Sequence, residues 1–134
     1  MILGADGVQI GSRFVASEES SAHVNFKNTV VKAKEGETQL TLKEITPVRL
    51  MKNEFYQKIS AAYEKGASID ELKDLLGRGR AKQGMFEGNL KDGELEIGQI
   101  SGMINEIKPA AEILNEILSE YKSELNTNTT KHNF

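Results

Sequence analysis

The chain has no cysteine and no tryptophan, only two prolines and two histidines, and no long apolar run. Each absence excludes something. Without cysteine there is no disulfide framework, no thiolate nucleophile and no zinc–thiolate site. The two histidines, His23 and His132, make no H-E-x-x-H pair, so no metal site is expected. No Ser-His-Asp arrangement suggests itself, and no two carboxylates can be paired as acid and base. No stretch approaches the roughly 18 consecutive apolar residues of a membrane span. Met1-Ile-Leu3 lacks the basic flank and apolar region of a secretory leader, which gives a cytoplasmic location as the expectation. The Asn128-Thr-Thr130 sequon then reads as chance. There is no basic excess either: 17 Lys and Arg stand against 20 Asp and Glu, a net charge of −3, which disfavours nucleic acid as a partner. Aromatic residues make up 6% and hydrophobic residues 38% of 134 positions, a lean core for a free-standing domain and one that suits a piece packing on something more. No internal repeat is visible, and no apolar stripe holds a heptad long enough for a coiled coil.

What is present centres on Gly4-Ala-Asp-Gly-Val-Gln-Ile-Gly-Ser-Arg-Phe14. Val8 to Phe14 reads as one short buried strand running into a loop. Gly11 and Ser12 then offer backbone N–H groups and a hydroxyl, with no Cβ in the way at Gly11. Unhindered donors at a strand end, just before a helix, are suitable chemistry for holding a phosphate. The glycine spacing is not the dinucleotide fingerprint G-x-G-x-x-G. On pattern alone, a glycine that simply ends a strand is the commoner outcome.

The rest reads as helices. Ser20 or Ser21 is an N-cap candidate for a helix to about Lys34. His23 falls in its first turn, more readily a surface histidine than a general base, since no carboxylate is placed to tune it. Thr38 to Leu42 alternates and suits a short strand. Thr46-Pro47 carries the signature of a helix start. Val48, Met51, Phe55, Ile59 and Ala62 continue it as one stripe, ended by Gly66. Arg49 and Lys52 flank that stripe, more readily solvated than facing an anion. Ser68-Ile-Asp-Glu71 is a capping box, opening a helix that runs toward Glu87 or breaks at Gly77. Arg78, Arg80 and Lys82 invite a phosphate reading, but exposed charge is the commoner outcome there. Leu95, Ile97, Ile100, Met103, Ile104 and Ile107 suggest a helix over Glu94–Glu106, with Gln99 among small residues. Lys108-Pro109 opens a last helix to about Glu124, and the polar stretch 126–134, which includes His132, is expected to be disordered.

The same opening stretch, extended to Glu19, resembles the last barrel strand of the nitronate monooxygenase family. That family was formerly called 2-nitropropane dioxygenase, and the FMN-dependent enoyl-ACP reductases are its close relatives. The likeness continues through Ala22-His-Val-Asn-Phe-Lys27, Thr46-Pro-Val-Arg49, Glu87-Gly88, Gly98-Gln-Ile-Ser-Gly102 and Ile107-Lys-Pro109, reaching about Tyr121. The family more often has Thr where this chain has Ser12, and the hydroxyl is retained. The resemblance implies an FMN-binding (β/α)₈ barrel, with Gln9, Ile10, Gly11 and Ser12 at the flavin phosphate and the Gly98–Gly102 segment near the flavin end. The family's catalytic histidine lies upstream of its last barrel strand, and neither His23 nor His132 matches it.

A complete (β/α)₈ barrel takes about 250 residues, and this chain has 134. The expectation is therefore a mostly α piece, the C-terminal part of a barrel: one strand plus four or five helices over residues 1–125. Its activity would be that of an FMN-dependent oxidoreductase acting on a small molecule, most like a nitronate monooxygenase oxidising alkyl nitronates with O₂. An FMN-dependent enoyl-ACP reductase is the alternative, and so is a free-standing, non-catalytic helical module that binds a partner through its unpaired apolar stripes. Self-association through exposed apolar helix faces is a further expectation. The chain itself is expected to contain no catalytic residue and to be inactive alone.

Overall fold

The computed structural model of the chain describes residues 5–131, with backbone alone for 128–131. Among them the elements are α1 (Ser12–Val15), α2 (Val24–Val30), β1 (Thr38–Thr41), β2 (Val48–Met51), α3 (Glu54–Glu64), α4 (Ile69–Leu76), a π-helical turn (Lys82–Phe86), a 3₁₀ turn (Gln99–Met103) and α5 (Ala110–Lys131). The chain is helix-rich around one two-stranded antiparallel sheet.

Several starts and stops follow from local chemistry. The Ser68 hydroxyl accepts from the Glu71 N–H while the Glu71 carboxylate accepts from the Ser68 N–H, the reciprocal cap expected from the sequence. Gly66 and Gly77 end α3 and α4 at φ of +73° and +62°, where a Cβ would be strained. α2 is capped by His23, whose Nδ1 accepts from the Asn25 N–H at 3.1 Å. Ser20 sits further out, its Oγ accepting from the Ala22 N–H.

Three expected elements are replaced. Residues 8–11 form no strand: Val8 is 73% exposed, and the helical turn of α1 begins at Ser12. A strand needs neighbours, and none lies beside Val8 among the described residues. Pro47 opens no helix. Val48–Met51 pairs with Thr38–Thr41, with Leu40 opposite Arg49, and the helix begins beyond Asn53, whose side chain accepts from the Tyr56 N–H at 2.9 Å. The stripe that suggested one helix runs across a strand and a helix in succession. Glu94–Ile97 is extended rather than helical. It lies along β2 through Met51 N–H to Leu95 O (3.0 Å) and Ile97 N–H to Arg49 O (3.2 Å). Leu95 and Ile97 are both buried, which is the period of a strand. At the far end, α5 continues through Asn126 to Lys131, into the stretch expected to be disordered; residues 132–134, His132 among them, lie outside the described part.

Two apolar clusters flank the sheet. One joins Ala16, Phe26, Val30 and Ala33 to Met51, Leu95, Ile97 and Ile104. The other packs Leu42 and Leu50 under Phe55, Ile59 and Leu72 of α3 and α4. Met51 belongs to the first and its neighbour Leu50 to the second, so successive residues of β2 face opposite cores. This fixes the register, since a one-residue slip would exchange the two faces.

α1 is held against the start of α5. Glu18 N–H donates to Lys108 O (3.0 Å), Ala110 N–H to the Glu19 carboxylate (2.8 Å) and the Arg13 guanidinium to Glu106 O (3.2 Å). Ile113 of α5 is fully buried, whereas Leu114, Leu118 and Tyr121 are exposed.

Candidate functional site

Gln9, Ile10 and Gly11 lie in exposed irregular chain that delivers Ser12 to the first position of α1. Gly11 O accepts from the N–H groups of Phe14 (3.0 Å) and Val15 (3.3 Å). Among the described residues, the N–H groups of Gly11, Ser12 and Arg13 donate to no protein acceptor. They are the donors that the start of a helical turn always leaves over. Gly11 has φ −102°, and a Cβ built on it would meet nothing within 4 Å. Among the described residues, therefore, nothing calls for glycine at that position.

The Ser12 hydroxyl is tied elsewhere: its Oγ accepts from the Gly98 N–H at 3.0 Å. Ser12, Val15, Val48, Arg49, Glu96, Ile97 and Gly98 line, with Pro47, an open pocket of about 340 Å³. Its polar groups suit an anion. The Ser12 hydroxyl keeps its own proton to donate, and Arg49 brings a positive charge. One donor of that guanidinium is engaged across the sheet, by Thr38 O (3.3 Å) and Thr38 Oγ1 (3.2 Å). Glu96 is the opposing charge in the same pocket. The donors present fit a phosphate. The pocket is too shallow to enclose a flavin ring, since ligand sites normally cover most of their ligand's surface.

The other residues singled out from sequence are structural or solvent-facing. His23 spends Nδ1 on its cap, and its ring lies so close over Gly88 that a Cβ there would collide with it. Arg80 is drawn inward: its Nε donates to Leu75 O (3.1 Å) and Leu76 O (2.7 Å), and Nη1 to Asp92 O (2.9 Å). It thus caps the C-terminal carbonyls of α4. Lys82 pairs with Glu87 at 3.2 Å, and Arg78 is exposed. The three cations form no anion site together. Lys52 and Gln99 are exposed, and Gln99 does not line the Ser12 pocket.

Sequence reasoning missed Glu94. Burial first, then the nearby Glu96 charge, push its carboxyl up to about 7, and Arg80 pulls it partly back. No local pattern marks it; it lies at the start of the extended segment along β2, where the Gly84 backbone approaches its main-chain carbonyl. It does not line the Ser12 pocket. Among the described residues no group of three or more His, Cys, Asp or Glu could hold a metal ion, and no helix is long and apolar enough to cross a membrane.

Comparison with known proteins places these features in a family. The family model described as nitronate monooxygenase matches residues 1–120. A probable nitronate monooxygenase of Staphylococcus saprophyticus is 32% identical over 127 residues, covering 86% of this chain and 35% of the relative. One of Bacillus subtilis is 49% identical over 41 residues, covering 31% of this chain and 12% of that protein. Among solved structures, FabK from Thermotoga maritima superposes with a TM-score of 0.87 at 34% identity, over 97% of this chain and 41% of that one. Its M276A mutant gives 0.79 at 33%, over 97% and 39%. The chain thus spans about a third of the length of the first of these curated relatives and about two fifths of FabK.

Proposed function

The chain belongs to the nitronate monooxygenase family, and from that premise we propose that it forms part of an FMN-dependent oxidoreductase built on a (β/α)₈ barrel. In this reading Gln9, Ile10, Gly11 and Ser12 hold the flavin phosphate. The observation that carries it is the family match running through residues 1–120, with the 9–12 segment inside it. The chemistry of the site agrees. The Ser12 hydroxyl, with its proton to give, and the Arg49 charge line one pocket, and among the described residues the N–H groups of Gly11, Ser12 and Arg13 find no protein acceptor.

In such an enzyme the flavin supplies the redox chemistry, and the protein supplies binding and orientation. The residues of this chain bind and orient; among the described residues no histidine lines the Ser12 pocket, and His23 uses Nδ1 in its helix cap. The reaction proposed is oxidation of an alkyl nitronate with O₂, in the cytoplasm. The likeness to FabK favours a second reading, reduction of an enoyl thioester in the manner of the FMN-dependent enoyl-ACP reductases. The two separate in one experiment on a protein extended to the full length of its relatives. It is supplied with FMN and assayed with a nitronate under O₂, and with an enoyl thioester plus NAD(P)H. Turnover of the nitronate alone supports the first reading. Thioester reduction alone supports the second. A full-length protein that retains no FMN removes both.

A further inference from the structure

We propose that Gly98 is a positioning residue for the flavin phosphate, fixing the Ser12 hydroxyl by donating its N–H and by lacking a Cβ. The inference rests on the reading of residues 9–12 as the phosphate-holding segment.

Gly98 and Ser12 are 86 residues apart in sequence and meet through a single 3.0 Å hydrogen bond. Gly98 has φ −68° and ψ 160°, an extended conformation open to any residue. Backbone freedom does not explain the glycine. Space does: a Cβ at Gly98 would lie 2.5 Å from Ser12 Oγ and 3.6 Å from Ser12 Cβ. A side chain there would push the hydroxyl away, and with it the acceptor that satisfies the Gly98 N–H.

The donor is rigidly held. Ile97 just before it bonds to Arg49 O of β2 (3.2 Å), and Gly98 O accepts from the Ser101 N–H (3.1 Å) to close the 3₁₀ turn. A hydroxyl has one proton and two lone pairs. With one lone pair taken by Gly98, the Ser12 rotamer is set and its proton remains free for an anion. A hydroxyl that already accepts is also the stronger donor, because linked hydrogen bonds polarise one another. Ser12 and Gly98 line the same pocket as Arg49, so the tie lies beside the proposed phosphate position.

The test is a double-mutant cycle on FMN affinity in the protein extended to the full length of its relatives, read by flavin fluorescence and by the ³¹P shift of bound FMN. Ser12→Ala should weaken FMN binding about tenfold, the value of one hydrogen bond to a charged group. Gly98→Ala should weaken it as much or more while Ser12 is present. In the Ser12→Ala background, where the colliding oxygen is gone, it should add less than about twofold. Both single variants should move the ³¹P signal. Equal factors for Gly98→Ala in the two backgrounds overturn the inference. An unchanged FMN affinity in Ser12→Ala overturns the phosphate reading itself. A measurement independent of how Gly98→Ala folds is amide exchange at Gly98: Ser12→Ala should speed it about tenfold or more, and unchanged exchange would mean that the tie does not exist.

Discussion

The guanidinium of Arg80 lies 4.6 Å from the centre of the Phe55 ring, stacked on the aromatic face while its nitrogens bind three backbone carbonyls. A cation that looked available for a ligand is thus committed to joining α3, the end of α4 and the turn at Asp92. Arg80→Ala would leave those carbonyls without their donor and bare one face of Phe55, at a cost of about 2–3 kcal/mol. Arg80→Lys should recover less than half of this, because a point charge cannot reproduce the planar fork. Urea unfolding midpoints of the three proteins check it. FMN affinity of the extended protein should not respond to either change.

Glu94 gives the fold a pH dependence of defined sign. Its carboxyl is raised to about 7 in the folded chain, against an ordinary carboxylate value near 4.5. The folded state therefore holds more protons than the unfolded one between those values, so stability falls as pH rises through that window and levels off above it. The effect is at most about 3 kcal/mol. Glu94→Gln should remove most of this slope and raise stability at pH 8 relative to the parent. Thermal or urea unfolding at pH 5 and pH 8 measures it, and parallel pH profiles for parent and variant would contradict it.

Gly11 and Ser12 should separate folding from binding. A Cβ at Gly11 meets nothing among the described residues, so Gly11→Val should change the unfolding free energy by no more than about 0.5 kcal/mol. In the extended protein it should abolish flavin retention by occupying the space of the phosphate, whereas Ser12→Ala should only weaken retention. Loss of fold in Gly11→Val would move the glycine from a binding role to a structural one.

The chain by itself should bind FMN weakly, if at all, and show no turnover. Barrel phosphate sites draw on the loops after two strands, and the Ser12 pocket is an open one of about 340 Å³. Titration of the 134-residue chain, followed by flavin fluorescence, decides the matter. Tight stoichiometric binding would show that these residues suffice.

What could be read from the sequence was what local chemistry determines. The Ser68–Glu71 box and the stops at Gly66 and Gly77 depend on neighbours a few residues away and stand in the structure. A short strand forms at Thr38–Thr41 as expected, but Leu40 is exposed while Thr41 and Leu42 are buried, so the expected common face of Leu40 and Leu42 does not form. Pro47 misled because its helix-start signature is local while the pairing of Val48–Met51 with β1 is not. Glu94–Ile97 misled because Ile97, Ile100, Ile104 and Ile107 recur at helical spacings, whereas pairing with β2 sets Leu95 and Ile97 in the period of a strand. At the candidate site, residues 9–12 were marked by family resemblance, and the unpaired donors by glycine and serine chemistry. The tie from Gly98 to Ser12 left no local trace, since the contact spans most of the chain.

Asn53 has a consequence beyond capping α3. Its Nδ2 donates to Leu90 O and Gly93 O, both at 2.8 Å, and Phe55 N–H donates to Lys91 O at 3.1 Å. The polypeptide therefore leaves the sheet and returns to it at one gate, and α3 and α4 form a closed excursion between. Lengthening such an excursion at its tip costs only slowly growing closure entropy. The tip, around Gly66 and Ala67, is where this architecture can accept grafted sequence, because residues added there are isolated by the gate from the strand that positions Gly98.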